Sequence, residues 1–206
     1  MIPVFQTRTR LDEEGGPGNC LEACLASILE LPLEAIPDRG RFQTGEWQAK
    51  VADALAAGPE ALEELWDGDE PDWLRQGAED LRRWLARRGL GYLELQIDPA
   101  GRGGLTAEAL FEIVERDVRG FWIACHRTPA GTTHATVWRG RECVHNPKRG
   151  LLGEEGLVGD PLYAWILTCG DPVRVIATGR LGAIGLDDEQ ASRAYDVFLD
   201  ASPSPA

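Results

Sequence analysis

Gly18-Asn19-Cys20-Leu21-Glu22-Ala23-Cys24-Leu25-Ala26-Ser27-Ile28-Leu29 reads as a loop that turns into a buried helix, with a cysteine in the first turn. Gly15, Gly16, Pro17 and Gly18 cannot continue regular structure, so the chain bends just before it. Asn19 suits an N-cap, and Glu22 three residues on completes the spacing of a capping box. Leu21, Leu25 and Ile28 fall on one helical face, with Cys24 and Leu31 beside it, and Pro32 is expected to end the helix near Leu31. Cys20 then lies where unpaired backbone N–H groups and the positive end of the helix dipole favour thiolate over thiol. The thiolate is the nucleophilic form, so the position suits covalent catalysis. The competing reading of any helical cysteine is a small core residue. It is the better reading for Cys24. The case for Cys20 depends on a base supplied from elsewhere.

The remainder of the 206 residues is read outward from that helix. Residues 3–6 have the pattern of a short strand, and 8–18 form a polar, glycine-rich loop. Helical spacing covers 46–57, a short stretch at 61–66 and an amphipathic run at 73–88 that Gly89 closes. Residues 67–72 are acidic and turn-like. A strand follows at 92–97, a loop at 98–104 and a helix at 105–118. From Gly120 the pattern is mostly β, with strands at 121–125, 133–138, 142–145, 162–168 and 173–177 in a meander. A helix is expected at 187–199. Helices first and strands afterwards indicate an α+β domain with an antiparallel sheet. The expected organisation is one domain over 1–200, with a helical part at about 1–118, a β-rich part at about 119–180 and a tail at 201–206 that frays.

Composition narrows the function classes. The net charge is −13, from 34 acidic and 21 basic residues, so phosphate backbones would repel the chain and nucleic acid is not the expected partner. No apolar run reaches membrane-spanning length, so no membrane partner is expected. The opening MIPVFQTRTR lacks the apolar core of a signal peptide. Five irregularly spaced cysteines, Cys20, Cys24, Cys125, Cys143 and Cys169, argue against a disulfide framework and for a reducing, cytoplasmic setting.

A base for Cys20 must come from His126, His134 or His145. His134 opens the strand Thr133-His134-Ala135-Thr136-Val137-Trp138, and Asn146-Pro147 follows the next strand. If those strands pair as a hairpin, His134 and Asn146 meet at one end of the sheet. An Asn beside an imidazole fixes its tautomer and orientation. His145 is the rival base because it adjoins Asn146. Strand alternation points these two neighbours to opposite faces, so only one can face the cleft. His126 ends an apolar strand and reads as structural.

The segment from Gly18 to Leu29, then His134-Ala135-Thr136-Val137, then His145-Asn146-Pro147, resembles the papain-like cysteine peptidases. The nearest branch is the double-glycine (bacteriocin-processing) peptidases and their bacterial and phage relatives. These carry an upstream Gln, a Cys opening a helix of the type C-x-x-A-C-L-A, a His leading an apolar strand, and an Asp-Pro after the next strand. The resemblance implies a papain-like fold, with the catalytic helix packed on an antiparallel sheet. It implies Cys20 as nucleophile, His134 as base and then acid, Asn146 as orienting residue and Gln6 as an oxyanion donor beside the Cys20 N–H. Gln6 lies fourteen positions before Cys20, so residues 11–18 would be an insertion, and Asn146 stands where the family commonly has Asp.

The expected activity is hydrolysis of a peptide, isopeptide or other amide bond in a peptide or protein substrate, through a thioester and without a cofactor. An acyl transferase would share that intermediate. One alternative is a catalytically silent protein-binding module of the same fold. Another is a zinc site built from Cys20, Cys24, Cys143 and His145, whose spacing is not that of a common zinc knuckle.

Overall fold

The structure is a computed structural model and describes residues 1–8, 18–42, 45–58, 60–61, 64–65, 72–98, 105–118 and 120–169. The expected strand at 173–177, the helix at 187–199, the tail at 201–206 and the turn at 67–71 lie outside the described residues. So do 9–17 of the expected loop and 99–104 of the next one. The described elements include four α-helices, α1 (Cys20–Leu29), α2 (Gly45–Ala57), α3 (Asp72–Ala86) and α4 (Ala107–Asp117), helical residues at 60–61 and 64–65, and five strands. The strands are β1 (Leu90–Gln96), β2 (Trp122–Arg127), β3 (Thr133–Arg139), β4 (Glu142–His145) and β5 (Val158–Cys169). Two 3-10 turns, Leu33–Ala35 and Arg39–Phe42, connect α1 to α2.

All strand pairings in the sheet are antiparallel, and the order is β1-β5-β2-β3-β4. The protein is therefore mixed helix and strand around one antiparallel sheet. The order corrects the expected meander. β2, β3 and β4 follow one another as hairpins, but β5 returns to the far side of β2 and pairs with it and with β1. β1, from the helix-rich first part of the chain, is thereby an edge of the sheet among the described residues.

Alternation along the strands divides the core between the two faces. Ile123, Ala135, Val137 and Tyr92 pack against Leu21, Cys24 and Leu25 of α1 and Leu81, Trp84 and Leu85 of α3. Trp122, Ala124, Trp138, Leu93 and Leu95 pack against Leu110 and Val114 of α4. Burying each large apolar side chain contributes about 1.5–3 kcal/mol, so the first face fixes α1 and α3 firmly on the sheet and the second fixes α4.

Three local expectations are corrected. Asn19 precedes α1, yet its side chain caps no helical N–H, and Glu22 forms no capping box. Both side chains have stronger partners elsewhere: Asn19 holds residues 7 and 8, and Glu22 pairs with Arg39. Residues 3–6 join no strand. They are tethered instead by Val4 N to Ser27 Oγ at 2.8 Å and Gln6 N to the Pro147 carbonyl at 3.0 Å. α1 stops at Leu29 because Glu30 turns left-handed at φ 55° and closes the helix before Pro32 is reached. The Met1 ammonium pairs with Glu30 at 2.7 Å. Among the described residues, no helix is long and apolar enough to cross a membrane.

Candidate active site

The site forms where the start of α1 meets the start of β3. Cys20 is half-buried as the first residue of α1, and its sulfur accepts a hydrogen bond from Ala135 N at 3.4 Å. Because Asn19 leaves the first turn uncapped, the free N–H groups there keep their attraction for negative charge at Cys20. Asn19 instead secures the segment that carries Gln6. Its Oδ1 accepts from Thr7 N and Arg8 N, each at 3.1 Å, and its Nδ2 donates to Thr7 Oγ1 at 3.0 Å.

β3 and β4 are joined through a tight turn at Gly140, whose φ of 55° suits glycine. The hairpin brings His134 and Asn146 together, and the His134 Nε2 lies 2.8 Å from Asn146 Oδ1. The pairing slips by one residue between Trp138↔Cys143 and Val137↔His145. Residues directly opposite in a ladder share a face, so a one-residue slip exchanges the faces of His145 and Asn146. Without it, His145 would sit opposite Thr136, on the face of His134. With it, Asn146 takes that place.

Asn146 is buried and fully engaged. Its Nδ2 donates to the carbonyls of Gly153 and Glu155, each at 3.2 Å, while Oδ1 also accepts from Lys148 N at 3.1 Å. Two carbonyl partners require the amino group on that side, so the oxygen must face His134. An oxygen acceptor requires Nε2–H on His134. The neutral ring then carries its lone pair on Nδ1, the nitrogen left for Cys20, and the imidazole and the thiol act on each other's titration.

The titration directions agree with this geometry. Burial pushes the Cys20 thiol up, but the hydrogen bond and charge of His134 and the Ala135 N–H outweigh it and bring it below the ordinary thiol value. Burial pushes His134 down, but Cys20 and then Asn146 carry it above the ordinary imidazole value. Each group thus favours the charged form of the other. The other thiols behave oppositely: burial pushes Cys24 well above the ordinary value and Cys143 up to about 11.

The remaining candidates are dispersed. His145 Nε2 meets the Val4 carbonyl at 2.8 Å and its ring lies edge-on to Phe5, so it pins the N-terminal segment. His126 stacks on Trp138 and lies 3.2 Å from the Gly159 carbonyl through Nδ1. Cys24 is in the core, and Cys143 donates to the Gly153 carbonyl at 3.2 Å. Among the described residues, no group of three or more His, Cys, Asp or Glu side chains is arranged to hold a metal ion. Gln6 is tied by its backbone to Pro147, next to Asn146, and is followed by the residues that Asn19 holds. Its Oε1 is buried without a partner among the described residues.

Sequence reasoning missed three contributors. The Ala135 N–H is a backbone group, which no pattern of side chains announces. Ser27, buried in α1, donates to the Ala23 carbonyl and accepts from Val4 N, each at 2.8 Å. A serine inside an apolar helix face was the available signal. The third is the buried pair of Glu22 and Arg39. An open cleft of about 770 Å³ runs beside the start of α1, between Asn19 and Glu22 on one side and Ile36, Pro37 and Trp84 on another.

The fold and site together define an α+β protein in which a cysteine at a helix start lies by the start of β3, whose histidine is held by an asparagine just past β4. No protein-family model, curated protein or solved structure matches the chain.

Proposed function

We propose that the protein is a papain-like cysteine hydrolase that cleaves a peptide, isopeptide or other amide bond through a thioester acyl-enzyme. One observation carries the reading: Asn146 is held with its oxygen on His134 Nε2, which leaves Nδ1 as the ring nitrogen able to exchange a proton with Cys20. A buried cysteine serving only as core needs no such partner, and one whose thiol is pulled down by a histidine gains nothing in packing.

In the proposed reaction the Cys20 thiolate attacks the amide carbonyl, and His134 holds the proton that Cys20 released. The developing oxyanion is received by the Cys20 N–H and by the Gln6 side-chain amide. The C–N bond then breaks, and His134 delivers its proton to the leaving amine. Water attacks the thioester with His134 again as base, the acid product leaves and the thiol is restored.

The test is a hydrolysis assay on a mixed peptide library, read by mass spectrometry. The wild type is expected to cleave, Cys20→Ala to be inactive, and His134→Ala to lose about 10²–10⁴-fold, the usual contribution of a positioned base. In parallel, limiting iodoacetamide near neutral pH should modify Cys20 well before Cys24 and Cys143. Preferential modification of Cys24 or Cys143 would remove Cys20 from the role.

A further inference from the structure

Glu22 presents a problem for the proposed site. It lies two residues beyond Cys20, in the first turn of the same helix, and is 3% exposed. A carboxylate there opposes a thiolate at Cys20, and it is among the influences that push the Cys20 thiol up. Its partner is Arg39, at the start of the 3-10 turn Arg39–Phe42. Arg39 gives Glu22 Oε1 two hydrogen bonds, from Nε at 3.0 Å and from its backbone N at 3.2 Å. Glu22 Oε2 is buried with no partner among the described residues. Arg39 is thus the cation that balances this carboxylate.

Arg39 is also held from two further directions. Its guanidinium lies over the Trp165 ring at 6.0 Å. Its backbone packs so closely on α3 that a Cβ added at Gly77 would meet Arg39 Cβ and O at 2.9 Å. A flexible surface arginine does not require a glycine opposite its backbone. A fixed one does.

We propose that Arg39 is a positioning residue for the nucleophile: by neutralising Glu22 it keeps the field at the start of α1 favourable to a Cys20 thiolate. This rests on the reading of Cys20 as the nucleophile. Among the described residues, the titratable groups coupled to Cys20 are His134 from β3, Glu22 and Cys24 on its own helix, and Arg39 from the 3-10 turn, beside the Ala135 N–H that bonds the sulfur. His134 supplies the proton acceptor. Arg39 supplies no contact to the sulfur and acts only through Glu22 and through space. Its role is therefore visible in the protonation of Cys20 and not merely in the amount of folded protein.

The experiment is the pH profile of Cys20 alkylation by iodoacetamide, with the site read by peptide mapping. It is run on the full chain, on Glu22→Gln, Arg39→Gln and Arg39→Lys, and on the double variant Glu22→Gln/Arg39→Gln. Far-UV circular dichroism and a melting curve check each fold. Arg39→Gln should move the midpoint up by about one pH unit, a tenfold lower rate at a pH below the midpoint. Glu22→Gln should move it down, the double variant should return it toward wild type, and Arg39→Lys should lie between. If Arg39→Gln does not fold, Glu22→Gln and the double variant decide. Folded variants that all titrate Cys20 as the wild type does would overturn the role of Arg39 alone. A wild-type Cys20 that titrates like an ordinary thiol would overturn the nucleophile reading and the inference with it.

Discussion

At the scale of single residues, the site depends on Asn146 having no spare polar atom. Asp at this position could still accept from His134 Nε2, but it could not donate to the Gly153 and Glu155 carbonyls. Asn146→Asp is therefore expected to cost about 1–3 kcal/mol of stability for the carbonyls left unpaired, with the fast alkylation of Cys20 retained. Asn146→Ala should lose both, with alkylation near neutral pH slowed about 10²-fold, the lower end for a mispositioned base. Denaturant unfolding and alkylation rates separate the two effects. Equal loss of reactivity in both variants would mean that the carbonyl tethers matter and the histidine tautomer does not. His134→Ala gives a signed prediction. Burial is the largest influence on Cys20 and pushes its thiol up, while His134 is what brings it down. Without the imidazole, the alkylation midpoint should rise above the wild-type value and past the ordinary thiol value of about 8.5. A midpoint left unchanged would show that the helix start alone sets the thiolate.

At the scale of elements, the helix–sheet contacts bring the residues together, and one close approach supports a sharp test. Gly77 on α3 faces Arg39 with no room for a methyl group, because the atoms it would strike include backbone. Alanine is normally the better helix residue by about 1 kcal/mol. Overpacking against backbone costs about 1–3 kcal/mol, so Gly77→Ala should be net destabilising in urea unfolding and should loosen the Glu22–Arg39 pair. A stabilised variant would show that the 3-10 turn yields easily. The elements themselves were largely legible: α1 to α4 and β1 to β5 lie where apolar periodicity put them. What escaped was set by competition or by register. Asn19 and Glu22 have the spacing of a capping box, but partners distant in sequence, Thr7, Arg8 and Arg39, outbid the local bond. Sequence could not choose between His145 and Asn146 because a single register slip in the β3–β4 hairpin makes the choice.

At the scale of the whole molecule, the site is a product of the tertiary fold. Cys20 and Ala135 are 115 positions apart and meet only because α1 docks on β3. Which residue types could form the site was legible. Which of them converge depended on a strand order with β5 inserted between β1 and β2, and periodicity does not encode strand order. The same sheet sets the response to acid through His126. His126 lies opposite His134 in the β2–β3 ladder and is 3% exposed. Its Nδ1 faces the Gly159 carbonyl and its Nε2 has no partner among the described residues. Burial holds His126 below the ordinary imidazole value, with the Gly159 carbonyl, Glu154 and Asp160 opposing and His134 adding to the effect. The unfolded chain therefore binds a proton at His126 at a pH where the folded chain does not. This contribution to stability is fully present above the unfolded pKa of about 6.5 and is lost as pH falls below it, toward the folded value. His134 has the opposite sign, since its folded value is raised, so the wild-type profile mixes the two. His126→Gln isolates the first. Urea unfolding of both proteins at pH 7 and pH 5 should show a smaller loss between the two pH values in the variant, whatever its absolute stability. Equal losses would mean that His126 titrates in the folded protein as it does in the unfolded chain, and that its burial carries no acid sensitivity.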